Sequence, residues 1–173
     1  LFPATYELKP SSSAEDLVDQ QLKAFERNFK KVDLKYARSK NLSPYDVLII
    51  ASMIDREVQV PRERNLVAEV IYNRLAANEA LGIDATIRYA TGNFDKPLTE
   101  SELSIDSPYN TRLVAGLPPT PIGNPGLGAI EAAADPGLGQ QGAGASGIVV
   151  VGEEAGVVAA DDRRHDRKRR RGG

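Results

Sequence analysis

Residues 43–75, SPYDVLIIASMIDREVQVPRERNLVAEVIYNRL, decide how this chain folds. Ser43 reads as an N-cap, Pro44 takes the first helical position, and Asp46 stands three residues after the cap, where it can return a bond to the cap amide. Val47, Leu48, Ile50, Ala51 and Ile54 recur at helical spacing and predict one buried face. Pro61 limits this helix, because Val60 before it is pushed out of the α region. A second helix is expected from about Arg62, with Leu66, Val67, Val70, Ile71 and Leu75 as its apolar stripe. Glu57 falls near the C-terminal end of the first helix. The helix dipole disfavours a carboxylate there, and burial would lift its pKa further. A Glu so placed is a candidate general acid. Pattern alone favours a solvated salt-bridge partner for Arg56, Arg62 or Arg64, and spacing does not set Glu57 above Asp55.

Outward from this stretch, 173 residues with 41% apolar content suffice for one domain with an appendage. There is no Cys and a single His, His165, which removes disulfides, thiolate metal sites and His-based triads from consideration. No apolar run nears the roughly eighteen residues of a membrane span. Towards the N-terminus, residues 1–8 read as extended. Ser13 with Asp16 repeats the capping pattern, and Val18, Leu22, Phe25 and Phe29 follow as one apolar stripe whose aromatic pair belongs to the core. Residues 30–40 read as a basic helical continuation with a solvated face.

Towards the C-terminus, Asp84, Thr86 and Tyr89 are polar groups in a compact, partly apolar segment, DATIRY; alone, Asp84 is an ordinary turn or cap residue. Thr99 with Glu102 makes a further capping box. SPYNT, residues 107–111, reads as a turn that also offers a ring and an amide. Pro118, Pro119, Pro121 and Pro125 stiffen the next loop, and a helix is expected from about Pro125 through Ala134. The composition then changes: nine of the fifteen Gly lie in residues 137–173, and no aromatic follows Tyr109. Residues 148–151, IVVV, suggest a strand. Residues 163–171 carry seven Lys/Arg and one Asp, whereas the rest has 15 basic and 23 acidic residues. A basic end of this kind can bind nucleic acid or anionic lipid, and a disordered, solvated terminus is the preferred reading.

Several blocks together resemble the YceG-like endolytic murein transglycosylase family. They are the quoted stretch with its preceding Leu42, then DATIRY, LTESELSIDSPYNT and GLPPTPIGNPGLGAIEAAADP, with LFPATYEL ahead of them. The resemblance implies an α+β, mainly helical catalytic domain with a small β-sheet over residues 1–136, followed by an atypical tail over 137–173 in place of the family's aromatic-rich ending. It implies cleavage of peptidoglycan at the bond between N-acetylmuramic acid and N-acetylglucosamine within glycan strands, leaving 1,6-anhydro ends, without metal or cofactor. Glu57, in the triplet Asp55-Arg56-Glu57, is then the catalytic acid. Asn73, Asp84, Thr86, Tyr89, Tyr109, Asn110, Thr111 and Asn124 are the implied substrate-binding residues. Expected partners are glycan strands and peptidoglycan synthases (penicillin-binding proteins), with no nucleic acid. Expected too are a single membrane anchor and a small LysM-like region upstream, holding the domain outside the cell membrane. The alternative is a non-catalytic peptidoglycan-binding or scaffold domain.

Overall fold

The computed structural model describes residues 1–139. The readings made for residues 140–173, the 148–151 strand and the basic end among them, lie outside the described residues. Helix α3, Pro44–Glu57, is the axis of the described body. Ser43 and Asp46 form the expected reciprocal cap at its start. Its burial is broader than one face: every residue from Ile49 to Ile54 is buried. A helix covered on all sides is held by its neighbours more than by its own amphipathicity.

Those neighbours are α7, Leu127–Ala134, and α4, Arg64–Ala76. Ala129, Ala132, Ala133 and Ala134 are buried on α7, and such short side chains let its backbone approach α3 closely. A 3₁₀ turn, Pro61–Glu63, separates α3 from α4, as Pro61 requires. The stripe expected on α4 is rotated. Ala68, Ile71 and Tyr72 are the buried residues, while Leu66, Val67, Val70 and Leu75 are half-buried. The cause is polar as well as apolar: the Tyr72 hydroxyl donates to the Ala133 carbonyl at 2.7 Å, turning that face towards α7.

Helix α1, Ala14–Phe29, has the expected Ser13–Asp16 capping box. Phe25 and Phe29 stack at 5.2 Å and pack on the core, but Val18 and Leu22 are exposed, so only the C-terminal half of that stripe is used. The basic stretch after it is a loop and one short helix, α2, Lys35–Ser39, not a continuation. Two short helices complete the set: α5, Asp84–Thr91, closed by Gly92 in the left-handed region, and α6, Glu100–Leu103, opened by the Thr99–Glu102 box. The architecture is mainly helical. Among the described residues the expected small β-sheet has no counterpart beyond one isolated antiparallel bridge, Ala80 to Ala115. No helix there is long and apolar enough to cross a membrane.

Candidate active site

Glu57 is the last residue of α3, and its Oε1 accepts the N–H of Ala85 at 3.2 Å. Ala85 is the second residue of α5, whose N-cap position holds Ile83, a side chain unable to cap. Glu57 therefore supplies from another helix the acceptor that the start of α5 lacks. The side chain reaches solvent, yet protein crowds enough of its surroundings for desolvation to be the leading influence, and its pKa is raised above the ordinary Glu value. The Ala85 N–H opposes that rise, the Asp84 charge adds to it, and Arg88 opposes it. The exposure and the upward shift are compatible: a group crowded by protein on one side is reachable by solvent and still loses part of its hydration.

Asp84 stands beside it and is held by Arg112, whose Nε donates to Oδ1 at 2.9 Å and whose Nη2 lies 2.9 Å from the same oxygen as an ion pair. Thr86, Thr111 and Asn110 are fully buried. The Thr86 hydroxyl donates to the Ile83 carbonyl at 2.7 Å and lies 3.0 Å from Thr111 Oγ1, which also accepts the Ile83 N–H at 3.0 Å. Asn110 Nδ2 donates to the carbonyls of Leu103 and Ile105, and its Oδ1 accepts the Arg112 N–H. Thr86 and Thr111 clamp the start of α5 to the 107–112 turn, and Asn110 ties that turn to the end of α6. They hold the residues that face Glu57, and have no surface of their own to offer a ligand.

Tyr89, one turn along α5 from Ala85, is 41% exposed, and its ring lies 5.1 Å from that of Tyr109 at 49°. Tyr109 is fixed in turn by a 2.8 Å hydroxyl contact with Thr120. Asn124 is exposed on the proline loop, where its Oδ1 accepts from the Leu1 nitrogen. Asn73 is exposed on α4, and no contact joins it to Glu57 among the described residues. The proline loop seats on the end of α3: a Cβ on Gly123 would lie 3.3 Å from Arg56 Nε, and one on Gly126 would lie 4.0 Å from Asp55 Oδ1. Asp55 thus faces that loop while Glu57 faces α5, as residues two apart on a helix must.

Sequence reading missed Arg112, Arg88 and Thr120. Arg88 had a signal, four residues after Asp84 in the same block. Arg112 and Thr120 had none, because their partners lie 28 and 11 residues away in the chain. Among the described residues no group of three or more His, Cys, Asp or Glu converges as metal ligands.

The family model for the YceG-like family matches residues 1–140. The endolytic murein transglycosylase of Streptococcus pneumoniae (strain ATCC BAA-255 / R6) is 39% identical over 138 residues, covering 76% of this chain and 24% of the relative. That of Bacillus subtilis (strain 168) is 36% identical over 137 residues, covering 79% of this chain and 38% of the relative. A crystal structure of a yceG-like protein from Listeria monocytogenes superposes with a TM-score of 0.65 at 36% identity, covering 76% of this chain and 43% of that one. The match thus spans about a quarter of the streptococcal relative's length. With the family model covering most of the chain, this protein belongs to the YceG-like family.

Proposed function

We propose that this domain cleaves peptidoglycan glycan strands internally, as a lytic transglycosylase, with Glu57 as its acid and base. The carrying observation is the unequal state of two neighbouring carboxylates. Glu57 has a raised pKa and, among the described residues, no cation bonded to it, whereas Asp84 is tied up by Arg112. Hydrolysis would ask more of the second group, which must handle a water or a covalent intermediate on the far face of the sugar. In the lytic reaction the substrate's own C6 hydroxyl attacks the anomeric carbon, so proximity replaces the second carboxylate. Protonated Glu57 gives its proton to the glycosidic oxygen as the C1–O bond breaks. The resulting carboxylate then takes the proton from the C6 hydroxyl as the 1,6-anhydro ring closes. Glu57 ends as it began, and no water enters the products.

Tyr89 and Tyr109 form the sugar-facing ring pair in this reading, with Asp84 at the same edge. Thr86, Asn110 and Thr111 act by holding that edge, and Asn73 and Asn124 are outlying contacts. The names of the bacterial relatives support the substrate. The proposal includes the wider setting the resemblance implies: a catalytic domain over 1–136 with a distinct tail, a small β-sheet beyond the helical body, a membrane anchor upstream, and synthases as partners. The test is mass spectrometry of peptidoglycan after incubation with the protein. Products ending in 1,6-anhydro-N-acetylmuramic acid are expected; reducing ends alone would show a hydrolase, and an undigested polymer that retains the protein would show a binding domain.

A further inference from the structure

A cavity of about 570 Å³ lies away from the residues grouped around Glu57, lined by Lys31, Pro61, Arg64, Gly128, Glu131 and Ala132 among others. Arg64 is its unusual member. It is the first residue of α4, and its guanidinium presses on the first turn of α7, where a Cβ on Gly128 would come within 2.8 Å of Nη1. Both helix starts are positive poles, the wrong surroundings for a cation. Its Nε is buried without a hydrogen-bond partner, and no carboxylate lies within ion-pair distance among the described residues. Arg64 is half-buried, and burying its Nε–H without an acceptor opposes folding. Two carboxylates also line the cavity, Asp33, which is paired with Lys35 at 3.4 Å, and Glu131; at Arg64 itself, the orphaned donor between two helix starts fits a ligand carboxylate.

We infer that this cavity binds a short peptide carried by the glycan strand, with Arg64 and Lys31 taking a peptide carboxylate and Glu131 taking an ammonium group. The inference rests on the reading of the chain as a glycan-strand enzyme. The sugars of a peptide-bearing strand offer Arg64 neutral acceptors but no counter-charge, whereas its peptides bring carboxylates and a diamino acid. Distance permits it. Pro61 follows Glu57 by four residues, so their Cα atoms lie no more than about 14 Å apart, within the reach of an extended peptide of four or five residues. A peptide on a strand held at Glu57 is therefore long enough to span the distance to Pro61 at the cavity's edge.

Isothermal titration of the full chain tests the site apart from catalysis. The probe is a synthetic peptide of alanine, γ-linked glutamate, lysine and two D-alanines, with acetate and inorganic phosphate as controls. The peptide should bind at least tenfold more tightly than either control. Arg64→Gln should weaken it at least tenfold, and so should Gly128→Ala, which keeps the charge but displaces the guanidinium. Glu57→Gln should bind as the wild type does. On strands with and without their peptides, the wild type should show a lower KM for the peptide-bearing form, and Arg64→Gln should shrink that difference with kcat little changed. No peptide binding, equal binding of phosphate or acetate, or undiminished binding by a folded Arg64→Gln would overturn the inference. Peptide binding by a wild type that forms no anhydro product would uphold the cavity and overturn the proposed reaction instead.

Discussion

One carboxylate does two things in this chain, and the two pull on its proton in opposite directions. As the acceptor for Ala85, Glu57 is best ionised; as a partly desolvated group beside Asp84, it is best neutral. The second influence prevails, so Glu57 holds its proton more firmly in the folded chain than in the unfolded one. Its protonation therefore favours the fold at low pH, and that contribution is lost as pH rises from the ordinary value of 4.5 through the raised one. Glu57→Gln keeps an acceptor for Ala85 and has no charge to desolvate. Its melting temperature should gain on the wild type as pH rises above the ordinary Glu value of 4.5; a difference that stays constant with pH would contradict the raised pKa. The same variant should make no anhydro product, while Asp55→Asn, directed at the proline loop, should remain active. A dead Asp55→Asn beside a live Glu57→Gln would reverse the assignment. Arg112→Leu would free the Asp84 charge, lift the Glu57 pKa further, and move the alkaline limb of the kcat/KM profile upward. An unmoved limb would detach the Asp84–Arg112 pair from the chemistry.

Helix α5 and the turn after α6 are the elements that separate what the sequence disclosed from what it hid. Caps were legible because their signals are local: Ser13 with Asp16, Ser43 with Asp46, and Thr99 with Glu102 each close within three residues. The end of α3 was legible from Pro61. Which face of α4 is buried was not, since Tyr72 is aimed by a carbonyl 61 residues later. The exposure of Val18 and Leu22 was equally hidden, because an apolar stripe states a preference and only the neighbours decide whether it is met. At the site, Glu57 was picked out by family resemblance, and no pattern told that Thr86, Asn110 and Thr111 would be internal. Their burial changes what mutation should do. Asn110→Ala removes two donors from the Leu103 and Ile105 carbonyls and should cost about 1–3 kcal/mol of stability. Urea denaturation reads it. Tyr89→Ala, at an exposed ring, should leave that midpoint nearly unchanged and lower kcat/KM instead. Were Asn110→Ala as stable as the wild type, the tie assigned to it would be wrong.

At the scale of the molecule, the described body is a helical fold closed by contacts distant in sequence. Asn65 bonds the Pro136 carbonyl, Tyr72 the Ala133 carbonyl, and Ser52 the Ile122 amide, across 71, 61 and 70 residues. Such pairings give a helical chain a higher contact order than a simple bundle and predict slower folding than its helix content suggests. Ser52 matters most for function, because it joins the centre of α3 to the proline loop. Its buried hydroxyl donates to the Ile49 carbonyl at 2.7 Å and accepts the Ile122 N–H at 2.9 Å. The proline loop has few conformations left to lose, so one such bond can fix its position. That loop supplies Thr120 to Tyr109 and lies against Asp55 and Arg56, one step from Glu57. Ser52→Ala adds no bulk, but it leaves the Ile122 N–H buried and unpaired, at about 1–3 kcal/mol. At about 2–4 °C per kcal/mol for a chain of this size, the melting temperature should fall by roughly 2–12 °C. The Ile122 amide should exchange faster relative to the core of α3, and kcat/KM should drop well below the melting transition, because the wall beside Glu57 is loosened before the fold is lost. Ser52→Thr, which restores the hydroxyl, should recover part of the activity even if its extra methyl costs stability. If Ser52→Ala melted lower yet kept full activity, with Ile122 exchange unchanged, the proline loop would be held by packing alone.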